Sequence, residues 1–218
     1  MRRDLFELCT GYSLILVVIW TPNPWQRWFY WLAIAFVVVT TGKSMDSLAA
    51  MGLRATNLLR SLWVAGIALL TAAVALAIAA HLHTLRPWHG PIEFIQRFWG
   101  YTLWAFAQQF LLLDYFLLRL LRLIPGRRLA AFAAAAIFAL AHLPNPVLTP
   151  TTFALGLASC ALFLYYRNLY PLAIAHAIFG ICIAVTLPGP VTHNMRVGLG
   201  YFTYRPNHGH HHRVPFSP

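Results

Sequence analysis

Gln108, Gln109, His142 and His176 are the residues whose types and spacing could do chemistry, because all four fall inside long apolar runs. An amide or imidazole in hydrocarbon must find hydrogen-bond partners or carry a desolvation cost of several kcal/mol. A polar residue kept at such depth therefore marks a functional site by default. Neutral imidazole can accept a proton, bind a metal or hold a water, and an amide can orient a water by donating to it and accepting from it. Depth brings these groups together. Counting from Arg119, Arg128 and Arg167 at 1.5 Å per residue puts Gln108, His142 and His176 at ~16, ~21 and ~13 Å from the inner face. Spacing also assigns faces: Trp104, Gln108, Leu112 and Tyr115 share one helical stripe, Phe138 and His142 a second, His176 and Gly180 a third. Two histidines at similar depth beside an amide pair point to a site.

The elements that must position these groups are membrane helices. Of 218 residues, 60% are hydrophobic and 10% charged, with a mean hydropathy of +0.64. A soluble domain carries roughly a quarter charged residues, so the chain reads as an all-α, polytopic transmembrane bundle. Apolar runs at about 5–20, 28–41, 61–81, 98–118, 129–143, 152–166 and 170–187 suggest about seven spans. The third, fourth and seventh are long enough for ~30 Å of hydrocarbon, while the rest need snorkelling flanks or neighbouring helices. The net charge of +11 does not indicate nucleic acid, because the basic residues are dispersed between apolar runs. They bear on topology instead. With the amino terminus inside, ten Arg and Lys fall on the inner side and six on the outer, which favours a cytoplasmic amino terminus.

Residues 43–60 have the pattern of an amphipathic interfacial helix, and the alanine-rich run 129–141 predicts close helix–helix approach. Glu7 is expected to reach the interface, and Asp114 to meet Arg119 or Arg122. Cys9, Cys160 and Cys182 are an odd number, widely spaced and apolar in context, which suits core packing rather than disulfides or zinc. Residues 188–218 leave the membrane as a Gly-, Pro- and His-rich tail.

Phe138 to His142 (FALAH) matches an FxxxH motif, and His176 to Gly180 (HAIFG) nearly matches HxxxN/D. With the paired-polar motif one helix earlier, the chain resembles the CPBP family of intramembrane proteases, which includes type II CAAX prenyl endopeptidases and abortive-infection-like proteins. The resemblance spans residues 93–187. It implies a water held by the first glutamate of an EExxxR motif, two histidines and an asparagine, attacking a peptide bond. Gln108 and Gln109 stand at the glutamate positions, Leu113 at the arginine and Gly180 at the asparagine; His142 and His176 match the histidines. A glutamine amide cannot take a proton from water, and loss of a positioned base costs ~10²–10⁴ in rate. A histidine would then serve as base, alone or with a divalent metal such as zinc on His142 and His176, although zinc usually takes three protein ligands.

The expected organisation is amino-terminal helices with an interfacial helix over 1–92, a CPBP-like four-helix core over 93–187 and an extramembrane tail over 188–218. The expected function is hydrolysis of a membrane-associated protein or peptide substrate, prenylated or not, in the lipid bilayer of a bacterial inner membrane. The alternative is an inactive pseudoprotease that binds a membrane partner or lipid. A transporter ranks last, for want of an inverted repeat.

Overall fold

The computed structural model describes residues 2–44, 46–86 and 90–205, and the regular structure among these is entirely helical. Each of the seven apolar runs carries a helix. The first two are α1 (Arg2–Trp20) and α2 (Gln26–Gly42); after the short α3 (Leu58–Ser61) comes α4 (Trp63–His81). The fourth run begins as α5 (Pro91–Phe110), widens into a π-helical stretch (Leu111–Leu117) and ends as α6 (Leu118–Leu123). The last three are α7 (Arg127–Leu140), α8 (Leu148–Tyr166) and α9 (Tyr170–Thr186). Short helices α10 (Gly189–Thr192) and α11 (Leu199–Phe202) close the described chain.

Two helical stretches, Leu58–His81 and Leu148–Tyr166, are long and apolar enough to cross a membrane. The second outgrows its apolar run with the help of two threonines that bond to its own backbone. Thr151 Oγ1 donates to Val147 O at 2.6 Å and Thr152 Oγ1 to Leu148 O at 2.7 Å, whereas the buried Thr149 hydroxyl has no partner among the described residues. Helix α4 is apolar all round, and its Ile67, Leu69, Leu70 and Ile78 side chains are exposed at the surface of the bundle. Such a face suits lipid rather than water.

The π-helical stretch is the centre of the molecule. Leu112, Leu113, Tyr115 and Leu117 are fully buried, packed in one cluster with Leu8 of α1, Val37 of α2, Ala134 and Phe138 of α7, Phe163 of α8 and Leu172 of α9. Close approach behaves as the alanine run predicts. Ala130, Ala131, Ala134 and Ala135 are buried, and a Cβ at Gly156 of α8 would stand 3.4 Å from Ala135 Cα, so these helices meet nearly backbone to backbone.

Three expectations are corrected. First, residues 46–57 form turns instead of an interfacial helix. They dock on the α8–α9 connection: Leu169 N donates to Gly52 O at 3.1 Å, and Asn168 Nδ2 to Arg54 O and Thr56 O at 3.0 and 3.2 Å. Gly52 sits at φ +69°, and a Cβ there would lie 2.7 Å from the Phe163 ring, so the turn depends on glycine at this position. Second, Glu7 is buried rather than interfacial. It accepts from Arg119 Nη2 and Nε at 2.7 and 3.0 Å and from Arg3 at 2.7 Å, and its carbonyl accepts from Tyr115 Oη at 2.7 Å. Third, Asp114 meets neither arginine. Arg119 is taken by Glu7, Arg122 binds Asp4 at 2.7 Å and Asp46 at 3.2 Å, and the buried Asp114 oxygens have no hydrogen-bond partner among the described residues. The π turn explains the change, since i→i+5 bonding shifts every following side chain off the stripe an α-helix would assign.

The tail also folds further than expected. Asn145 of the α7–α8 connection donates to Thr192 O at 2.8 Å and Arg196 O at 3.0 Å, and accepts from Val147 N and Leu148 N. Gly198 N donates to Leu143 O at 2.8 Å. Residues 188–205 are therefore fastened to the bundle; the histidine cluster at 208–213 lies outside the described residues.

Candidate active site

Helices α5, α7 and α9 bring Gln108, His142 and His176 to the wall of one cavity of about 1120 Å³. Each is set there by its own element. Gln108 lies in the last turn of α5, just before the π stretch begins, and His142 lies just past the end of α7. His176 sits in the middle of α9, buried among apolar neighbours.

The ring of His142 has a defined tautomer. Its Nδ1 lies 2.8 Å from Phe138 O, a carbonyl that can only accept, so Nδ1 carries the proton. Nε2 is left with its lone pair, and the Gln108 amide nitrogen faces it at 3.5 Å. Phe138 separates the two histidines, edge-on to both, with ring centroids 4.9 Å from His142 and 6.0 Å from His176. The phenylalanine of the FALAH motif thus spaces the two imidazoles. His176 Nδ1 is buried and has no hydrogen-bond partner among the described residues, an arrangement that leaves a buried polar atom for a ligand or water to satisfy.

The two glutamines part company. Gln109 points into the packing between helices, donating from Nε2 to Ser159 Oγ of α8 at 3.2 Å, and it does not line the cavity. Its Oε1 has no partner among the described residues. A one-residue step rotates a helical side chain by about 100°, which carries Gln109 off the Gln108 stripe and toward Ser159. Leu113 is fully buried in the core, whereas Gly180 lines the cavity one turn beyond His176.

Most of the remaining wall is apolar, with Tyr101 and Trp104 from α5 and Ile183 from α9; Arg27, Arg86 and Arg97 also line it. Among the described residues, no aspartate or glutamate lines it. Asn194 and Met195 of the folded tail complete it, and Arg86 Nη2 donates to Asn194 Oδ1 at 2.7 Å. Spacing along the sequence gave no reason to include the tail or Tyr101. The only signal was the Asn145 in HLPNP, a residue type that ties loops by accepting and donating at once. Among the described residues no group of three or more His, Cys, Asp or Glu converges as a metal site would require.

Residues 110–182 match the family described as type II CAAX prenyl endopeptidase Rce1-like, about a third of the chain. The match includes both histidines and Gly180 and begins just after the glutamine pair. No curated protein and no solved structure matches the chain. The segment that carries both buried histidines is thus similar to the Rce1-like, type II CAAX prenyl endopeptidases, the same resemblance that FALAH and HAIFG carry.

Proposed function

We propose that this protein is an integral-membrane endopeptidase that hydrolyses a peptide bond of a membrane-associated substrate with a histidine-activated water. The observation that carries the reading is the His142 ring, which lines the cavity with its Nδ1 engaged by Phe138 O and its unprotonated Nε2 facing the Gln108 amide at 3.5 Å. A water at Nε2 would lose its proton to the imidazole as its oxygen attacks the carbonyl carbon. Gln108, 3.5 Å away, would orient that water through its amide. His176, with a buried nitrogen still to be satisfied, would hold the second side of the water or the substrate. The imidazolium then returns its proton to the departing amine. Gln109 has no part in these steps, since it packs against Ser159.

Two imidazoles and an amide do not fit a zinc ion, which takes three protein ligands of the Cys, His or carboxylate kind, so no step is derived through a metal. The large apolar wall supports a substrate that enters from the bilayer, and a prenylated peptide is one candidate. The absence of a carboxylate from the lining residues favours a second reading: a cavity that binds a membrane partner without cutting it.

One experiment separates these. The purified protein in lipid vesicles is offered a peptide library with and without prenyl groups, beside His142→Ala, His176→Ala and Gln108→Glu. Cleavage by wild type that either histidine variant abolishes supports the peptidase. Cleavage only by Gln108→Glu, or by none, supports the binding protein.

A further inference from the structure

Position 180 is a glycine whose missing side chain has been replaced from another helix. A Cβ built on Gly180 would fall on the Tyr101 hydroxyl and within 2.7 Å of ring atom Cε1. The phenol of α5 therefore occupies the space that a side chain from α9 would fill, one turn beyond His176. Tyr101, Trp104 and Gln108 lie at i, i+3 and i+7, so α5 presents the hydroxyl and the amide on one stripe, and all three line the cavity. Among the described residues, the hydrogen bonds of the site engage His142 and Gln108 but not Tyr101.

We propose that Tyr101 is a catalytic residue of the hydrolysis argued above, its hydroxyl donating a hydrogen bond to the oxygen of the scissile carbonyl; the inference rests on the peptidase reading. As the water oxygen bonds to the carbonyl carbon, its proton passes to His142 Nε2 and the carbonyl π pair moves onto oxygen. That oxyanion is stabilised by a hydrogen-bond donor held in place before the reaction. His142 Nε2 is committed as the base and His176 to the water, and the Tyr101 phenol, set against Gly180 one turn beyond His176 and on the same stripe as Gln108, supplies an O–H. On collapse the C–N bond breaks, and the amine leaves with the proton from His142. Loss of one such donor lowers kcat by ~10²–10³.

The test uses full-length protein in lipid vesicles and a peptide that the wild type cleaves. Tyr101→Phe keeps the ring against Gly180 and removes only the hydroxyl. Expected are a fall in kcat of about 10²–10³, KM within about twofold and an unchanged melting midpoint. Wild-type kcat in Tyr101→Phe overturns the role of Tyr101 and leaves the peptidase reading intact, as does a loss that appears in KM and melting midpoint together, which would mean packing alone. If wild type cleaves nothing in the library, both readings fall. A second variant, Tyr101→Ala with Gly180→Asn, returns a donor amide from α9 to the vacated space. Partial recovery of kcat over Tyr101→Ala supports the assignment, and a folded double variant no faster than Tyr101→Ala overturns it.

Discussion

At the scale of single residues, the chemistry of the site turns on which atom of each polar group is free. His142 is engaged at Nδ1 by Phe138 O, so its tautomer follows from the backbone and not from a neighbouring charge. Replacing it with alanine removes the base, and the expected loss in kcat is ~10²–10⁴, read by peptide cleavage in vesicles. Gln108→Glu would place a carboxylate beside the same Nε2. It should raise kcat by on the order of 10², because a carboxylate can share the proton that an amide cannot. Gln109→Glu, by contrast, would set a carboxylate against Ser159 in a fully buried position. The expected result is a lower melting midpoint with no gain in rate, since a buried charge without an ionic partner is costly. The neighbouring glutamines are thus predicted to respond in opposite ways, and the assay that separates them is rate against stability.

Among the elements, the π-helical stretch ties α1 to the core. Arg119, fully buried, pairs with Glu7 and lies 3.9 Å from the Tyr115 ring centroid, while Tyr115 donates to Glu7 O. Removing one partner of a buried pair strands the other, at ~3–5 kcal/mol. Glu7→Gln should therefore lower stability more than the double change Glu7→Leu with Arg119→Leu, measured by unfolding in detergent. A larger loss in the double variant would mean that the pair itself, and not the stranded charge, holds α1. The docked turn offers a second check. Gly52→Ala forces a side chain into positive φ and against Phe163, with an expected loss of ~1–3 kcal/mol.

For the whole molecule, membrane integration rests on faces rather than on length alone. Two helical stretches are long and apolar enough to cross a bilayer. The exposed leucines of α4 carry this prediction. Leu70→Arg on that face should cost about 2.5–3.5 kcal/mol of insertion free energy, seen as protein that alkaline carbonate extracts from membranes while wild type stays. An equal extraction of both would argue that α4 does not face lipid.

Composition, run lengths and the spacing of FALAH and HAIFG were enough to determine an all-helical chain with a helix on each of seven apolar runs and to point to two histidines that line one cavity, because apolar periodicity and depth are local properties of a chain. The tight α7–α8 contact was legible for the same reason: small side chains admit close approach wherever they recur. What only tertiary structure decided involves groups whose partners are far away in sequence. The π turn re-aimed Asp114 and sent Arg119 to Glu7, the segment 46–57 gave up a helix for hydrogen bonds to the α8–α9 connection, and Tyr101 came to rest on Gly180. Each of these outcomes depends on a contact between distant helices, and no window along the sequence contains both sides of it.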